Sequence, residues 1–406
     1  MRVRAEGQAG CAPARVGTTG LWTTLPPPGR GLRAVVVLPA RNEAAHLPGC
    51  LAALAGQVHS DGTPLDRSHF EVLLLANNCD DATTTVARSF AASQQAVQLH
   101  VVETTLPPAL ANIGYVRRQL MDQAATRLES IGRPDGAIIS TDADTRVAPD
   151  WLAATWQELD QGSDAVGGRI LTDDCVRPSP AALRIRRVDA AHALLRARLA
   201  SLLDPQTSDP WPSHHQHFGA SLAVTARAYR LAGGVPEVPF LEDDALVRAL
   251  ERADLRVRHS PHVRVVTSSR IDGRAAVGLS WQLRQWAGAA PRQHDPLVED
   301  PLAYAEALAA RAVMRSAWRR HGSALARYLP ADLDARLRVP AGTIARTTQT
   351  AATFGVLWEN LEVQRLASGA GPQRGLQISK ALVVLRGLIR GQLAASSHAD
   401  SKTSMR

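Results

Sequence analysis

Short apolar runs that alternate with helical patterns constrain this fold most. Ala34-Val35-Val36-Val37-Leu38 is stopped by Pro39, and Leu47, Leu51 and Leu54 follow on one helical face. Val72-Leu73-Leu74-Leu75 precedes a helical segment through Thr85, Val86 and Phe90. Leu99-His100-Val101-Val102 precedes another, from Asn112 to Leu128, and Ala137-Ile138-Ile139-Ser140 ends in Thr141-Asp142-Ala143-Asp144. Continuous apolar runs are strands covered on both faces, so the pattern predicts an α/β chain with a mainly parallel sheet flanked by helices. Right-handed crossovers gather the loops at the carboxyl ends of the strands, where a ligand is expected.

Around this unit the chain divides by composition. Residues 1–30 are rich in Gly, Pro and Ala and read as a flexible arm; residues 31–290 hold the sheet domain. Residues 291–393 read as a helical C-terminal region, with Phe354, Leu357 and Leu361 in one segment and Ile378, Leu382, Leu385 and Ile389 in another. Residues 394–406 are expected to be a disordered tail.

Charge and cysteine narrow the function. The net charge of +8 is carried almost wholly by scattered Arg, with Lys380 and Lys402 as the only lysines, and aromatics are 4%. A nucleic-acid partner would call for clustered charge and stacking aromatics, so none is expected. Cys11, Cys50, Cys79 and Cys175 form no CxxC and read as reduced thiols, and no run reaches membrane-span length. A cytoplasmic location is the expectation. Leu382, Leu385 and Ile389 with Arg386 and Arg390 form an amphipathic face, for the catalytic domain or for peripheral contact with a membrane.

Three clusters can carry chemistry. Asp142 and Asp144, one residue apart at a strand end, offer hard oxygens suited to Mg²⁺ or Mn²⁺, which in turn bridges a diphosphate. Glu242-Asp243-Asp244 opens a helical pattern; acids there suit the helix dipole, and one can also deprotonate an acceptor hydroxyl. Pro39-Ala40-Arg41-Asn42-Glu43 is a strand-to-helix turn whose backbone donors can take up part of a nucleotide. His214, His215 and His217 read as an acceptor-side loop rather than a zinc site. Thr267-Ser268-Ser269-Arg270 with Gly273-Arg274 reads as an anion-binding loop.

In this order, Pro39 to Glu43, Asn77-Asn78-Cys79-Asp80-Asp81-Ala82-Thr83, the Asp142–Asp144 triplet and Glu242-Asp243 resemble the family 2 glycosyltransferases over residues 33–290. Asn112-x-Gly114 with Arg117 and Arg118, and Gly233-Gly234-Val235-Pro236, are similar too. Gln282-x-x-x-Trp286 departs from the family's Gln-x-x-Arg-Trp element by carrying Gln285 in the Arg place.

The resemblance implies a GT-A fold, a nucleotide diphosphate sugar donor and a hydroxyl acceptor. It places Pro39, Ala40, Arg41, Glu43, Asn77, Asn112, Arg117, Asp142 and Ala143 at the donor, with Arg118 as the rival to Arg117. Asp142 and Asp144 would hold the metal. Asp243, beside Glu242, would be the base of an inverting displacement. Similarity to glucosyl-3-phosphoglycerate synthases, which retain configuration, implies His262 as a further metal ligand, with His259 as the rival. The competing readings are that retaining transferase, a nucleotidyltransferase, and a non-catalytic scaffold or membrane-surface protein. Ala76, Asn77 and Asn78 stand where the family usually has a carboxylate reading the nucleobase, which leaves the base open.

Overall fold

A computed structural model describes residues 20–93, 97–173, 178–271, 273, 277–289, 295–369 and 374–403. The elements run β1 (Ala34–Ala40), α1 (Leu47–Ala55), β2 (Phe70–Asn77), α2 (Thr83–Ser93), β3 (Gln98–Thr104), α3 (Ile113–Ser130) and β4 (Ala137–Ser140). They continue through β5 (Thr145–Val147), α4 (Trp151–Asp160), β6 (Ala165–Thr172), α5 (Pro180–Leu203), β7 (Leu222–Thr225), α6 (Ala226–Leu231), α7 (Glu242–Arg252) and β8 (Val257–Thr267). The remainder comprises α8 (Leu279–Ala289), β9 (Leu297–Glu299), α9 (Pro301–His321), α10 (Leu333–Arg336), α11 (Thr343–Thr350), α12 (Phe354–Ala367), β10 (Arg374–Gln377) and α13 (Ile378–Thr403).

Eight strands form one sheet in the order β3-β2-β1-β4-β7-β6-β8-β5. The first four are parallel, as the apolar runs require. β7 is antiparallel to both β4 and β6, β6 and β8 are parallel, and β5 returns antiparallel on β8. The sheet thus joins a parallel half to a mixed half, with helices packed on it.

The alternation of side chains along β1 divides the core. Val36 and Leu38 pack toward α1 and α4, with Leu47, Leu51 and Trp151, whereas Val35 and Val37 pack toward α3 and α7, with Leu120 and Leu246. Beneath β2, the fully buried Glu71 takes a bidentate contact from Arg127, whose Nη1 also donates to Pro26 O at 2.9 Å. Leu21, Trp22 and Leu25 pack on the same core. Residues 20–30, expected within a flexible arm, are therefore held by packing; residues 1–19 lie outside the described residues.

The C-terminal region is helical. Met314, Leu325, Leu357 and Leu361 form its own core, while Leu385 and Ile389 of α13 close on Leu199 of α5 and Leu308 of α9. The amphipathic face read from Leu382, Leu385 and Ile389 is thus buried inside the molecule. α13 also continues to Thr403 instead of ending in a disordered tail at residue 394, because no Gly or Pro interrupts it from Gln392 onward.

Candidate active site

The site is built at the carboxyl ends of β1, β2 and β4. Past Ala40 the chain turns through Asn42 at φ 54°, a left-handed conformation that Asn tolerates better than most residues. The next residue, Glu43, is buried, and its N–H donates to Thr83 Oγ1 at 2.7 Å. Asp81 accepts from Thr83 N at 2.9 Å and from Ala44 N at 3.1 Å, lacing the turn after β2 to the turn after β1. Asn78, at φ 51°, donates to Leu106 O at 2.9 Å and accepts from Leu106 N at 3.2 Å. Asn77 is buried beside it, whereas Arg41 is exposed at the mouth. Asn112 is occupied as the N-cap of α3, accepting from Tyr115 N at 3.0 Å.

β4 delivers the acidic pair, with Ala143 buried between its members. Asp142 is partly exposed and accepts from Arg117 Nη2 at 2.9 Å. Asp144 is more enclosed and lies 2.9 Å from Arg270 Nη2. Burial, then the Asp142 carboxylate, pushes the pKa of Asp144 up to about 6, against the opposing pull of Arg270. Arg270 also makes a two-point contact with Glu43, at 2.6 and 2.9 Å. One guanidinium thus bridges the β1 turn and the acidic pair. Arg274 lies outside the described residues.

Arg117 has a different place from the one its sequence position implied. It is 3% exposed and donates to Glu242 Oε1 at 2.8 Å, Gly219 O at 3.1 Å, Ser140 Oγ and Asp142. Burial works against its charge, but Asp142 and Glu242 outweigh burial and hold it cationic. It is a buried clamp between the two acidic clusters rather than an arm reaching for phosphate. Arg118 points elsewhere, donating to Val235 O and pairing with Asp122 at 3.6 Å.

The second acidic cluster starts α7 directly after Leu241, which has φ 57°, a strained conformation for a branched apolar residue. Glu242 is buried, and burial raises its pKa while Arg117 opposes the rise. Asp243 accepts from Gly219 N at 2.7 Å, which ties it to the loop ahead of β7. Asp244 lies 3.4 Å from His217 Nε2, His217 Nδ1 lies 3.2 Å from His259 Nε2, and His259 Nδ1 lies 2.8 Å from Asp209 Oδ2. This carboxylate–imidazole–imidazole–carboxylate chain steadies the loop against α7 and β8. Burial first, then neighbouring His charges for His215, hold His214 near pKa 3 and His215 near 4. His214 instead bonds Ser260 O at 2.9 Å.

His262 does not meet the acidic pair. β8 pairs Thr267 with Thr145, next to Asp144, so His262 sits five residues back along the strand from Thr267, roughly 16 Å at ~3.3 Å per residue. Its side chain is exposed at the β8 bulge. Gln282 donates to Asp189 at 3.3 Å, and Arg284 donates to Ile271 O, so that segment holds α8 against its neighbours. Sequence reading singled out Arg117, Glu242, His217 and His259 separately and missed that they pair, and it gave no sign of Asp209.

Among the described residues no three His, Cys, Asp or Glu side chains converge as a complete metal site. Asp142 and Asp144 still supply hard, partly desolvated oxygens, which fit a divalent cation whose remaining ligands come from a diphosphate.

The family model for "Glycosyl transferase family 2" matches residues 35–215, which run from β1 through the acidic pair to His215 and stop short of the second acidic cluster. Residues 35–215 are thus similar to the family 2 glycosyltransferases, and they hold the parallel half of the sheet with the acidic pair at its carboxyl end. A comparison with curated proteins gives no match. Among solved structures, the chain resembles residues 1–349 of TarS from S. aureus in complex with UDP-GlcNAc, at 14% identity and TM-score 0.43, over 84% of this chain and 93% of that one. It also resembles the Pyrobaculum calidifontis mannosyltransferase PcManGT in complex with GDP-Man and Mn²⁺, at 19% identity and TM-score 0.41, over 85% and 91%.

Proposed function

We propose that this glycosyltransferase moves a sugar from a nucleoside diphosphate to an acceptor hydroxyl with inversion, using a divalent metal and Asp243 as general base. The observation that carries the reading is the arrangement of two acidic clusters on opposite sides of one buried guanidinium, Arg117. Asp142 and Asp144 would hold Mg²⁺ or Mn²⁺, which supplies neutralising charge to the departing diphosphate. The turn from Pro39 to Glu43 supports a nucleoside, with Arg41 at its rim and Asn77 at the end of β2. Arg270, shared by Glu43 and Asp144, is placed to exchange a carboxylate for a phosphate oxygen when the donor enters. Asp243, oriented by the Gly219 N–H, takes the acceptor proton as the new bond forms. PcManGT was solved with GDP-Man and Mn²⁺, and TarS with UDP-GlcNAc, which is the same class of donor.

The test is a thermal-shift panel of nucleotide sugars with Mn²⁺, followed by turnover of the best donor and the anomeric configuration of the product by NMR. Asp243→Asn should keep the donor-induced shift and lose transfer. Unchanged transfer, or retention of configuration, would remove the base role.

A further inference from the structure

α5 and α13 pack side by side through Leu199, Leu385 and Ile389, and a cavity of about 360 Å³ opens between their outer surfaces. Its walls are Leu183, Val188 and Leu382, and its rim carries Arg184, Arg187 and Arg386. All three arginines are exposed. Among the described residues, no carboxylate lies within ion-pair distance of any of them, whereas Arg196 on the same helix pairs with Glu299 at 2.8 Å. The outward face of α13 extends the same character. Between Ile378 and Ala395 it carries Lys380, Arg386 and Arg390 and no acid, with Val383 64% exposed and Leu393 43% exposed. On α5, Asp189 is the single acid beside Arg184, Arg186, Arg187, Arg196 and Arg198.

This surface is basic and apolar at once, and the heads of Arg184, Arg187 and Arg386 at the cavity rim lack anions. A helix lying at a lipid interface has that composition: apolar side chains enter the acyl boundary while Arg stems reach back to phosphates. We infer that the α5–α13 face docks the enzyme on an anionic phospholipid bilayer, with a lipid headgroup phosphate held at Arg184, Arg187 and Arg386. α5 follows β6, whose last residue, Thr172, pairs with Thr267 near Asp144, so docking presents the catalytic end of the sheet close to the lipid surface. The inference does not depend on which acid is the catalytic base.

Vesicle co-sedimentation of the full chain tests it, with phosphatidylcholine vesicles compared to vesicles containing phosphatidylglycerol. The wild type should pellet with the anionic vesicles, stay in solution with neutral ones, and be released by raised salt. Reversal of Arg184, Arg187 and Arg386 to Glu should cut the partition coefficient roughly a hundredfold. The same three-charge reversal at Arg319, Arg320 and Arg336, on other helices, should leave it near wild type. Three results would overturn the inference: no pelleting of the wild type with anionic vesicles at low salt, equal loss in both triple variants, or binding of glycerol phosphate without vesicle binding. If the first triple variant melts abnormally, R386E alone and the salt response of the wild type still decide the matter.

Discussion

Arg117 stands between the acids at the donor end and those at the acceptor end, with Asp142 at 2.9 Å and Glu242 at 2.8 Å. No other side-chain type serves two carboxylates, a hydroxyl and a carbonyl from one rigid plane. Arg117→Met leaves Glu242 buried without a counter-charge, and the expected cost is about 3–5 kcal/mol of stability. Urea unfolding at pH 7 measures this; a loss under 1 kcal/mol would mean that Glu242 is satisfied some other way. The pair is separated by 125 residues, and nothing local in either segment signals it. The Asp142–Asp144 pair, in contrast, was legible because both acids sit at the end of a single apolar run. His262 was misplaced because sequence spacing cannot show where a strand lies in register. Its neighbour His259 is the one that reaches the His217 chain.

At the level of elements, the parallel half of the sheet was readable and the mixed half was not. β1, β2 and β4 are buried throughout and carry continuous apolar runs, a pattern a doubly covered strand produces. β7 has four residues and β8 alternates buried and exposed positions through charged side chains, so neither stands out from its surroundings. The loop from Ser213 to Ser221 matters more than its length suggests, since it carries His217 to Asp244 and the Gly219 N–H to Asp243. A Cβ at Gly219 would fall 2.4 Å from Arg117 Nη2, too close to accept without displacing the loop or the guanidinium. Gly219→Ala should therefore lower turnover on the order of 100-fold while leaving the far-ultraviolet circular dichroism unchanged. Wild-type turnover in that variant would show that the loop does not set the position of Asp243.

Across the whole molecule, the C-terminal helices are integral to the catalytic domain. Arg252 of α7 pairs with Glu359 of α12 at 2.6 Å, and Asp254 accepts the first N–H groups of α12 at 2.8 Å. The helix bearing the second acidic cluster is thus braced from behind by the C-terminal region, while α13 braces α5. Part of the positive charge lies in Arg117 and Arg270, held against acids at the site, and part in Arg184, Arg187 and Arg386, exposed on the α5–α13 face.

The central claim is that the acidic pair, a divalent cation and a nucleoside diphosphate form one site. Calorimetric titration of UDP and GDP, each with and without Mn²⁺, into wild type and Asp144→Ala tests it most directly. Asp144 has a pKa near 6 in the metal-free protein, so protons compete with the metal below that pH and the carboxylate is free to bind above it. The prediction is that one nucleotide binds tightly only with Mn²⁺, loses affinity as pH falls below about 6, and loses its Mn²⁺ dependence in Asp144→Ala. Binding that ignores Mn²⁺, or an Asp144→Ala protein that responds to it as the wild type does, would contradict the account.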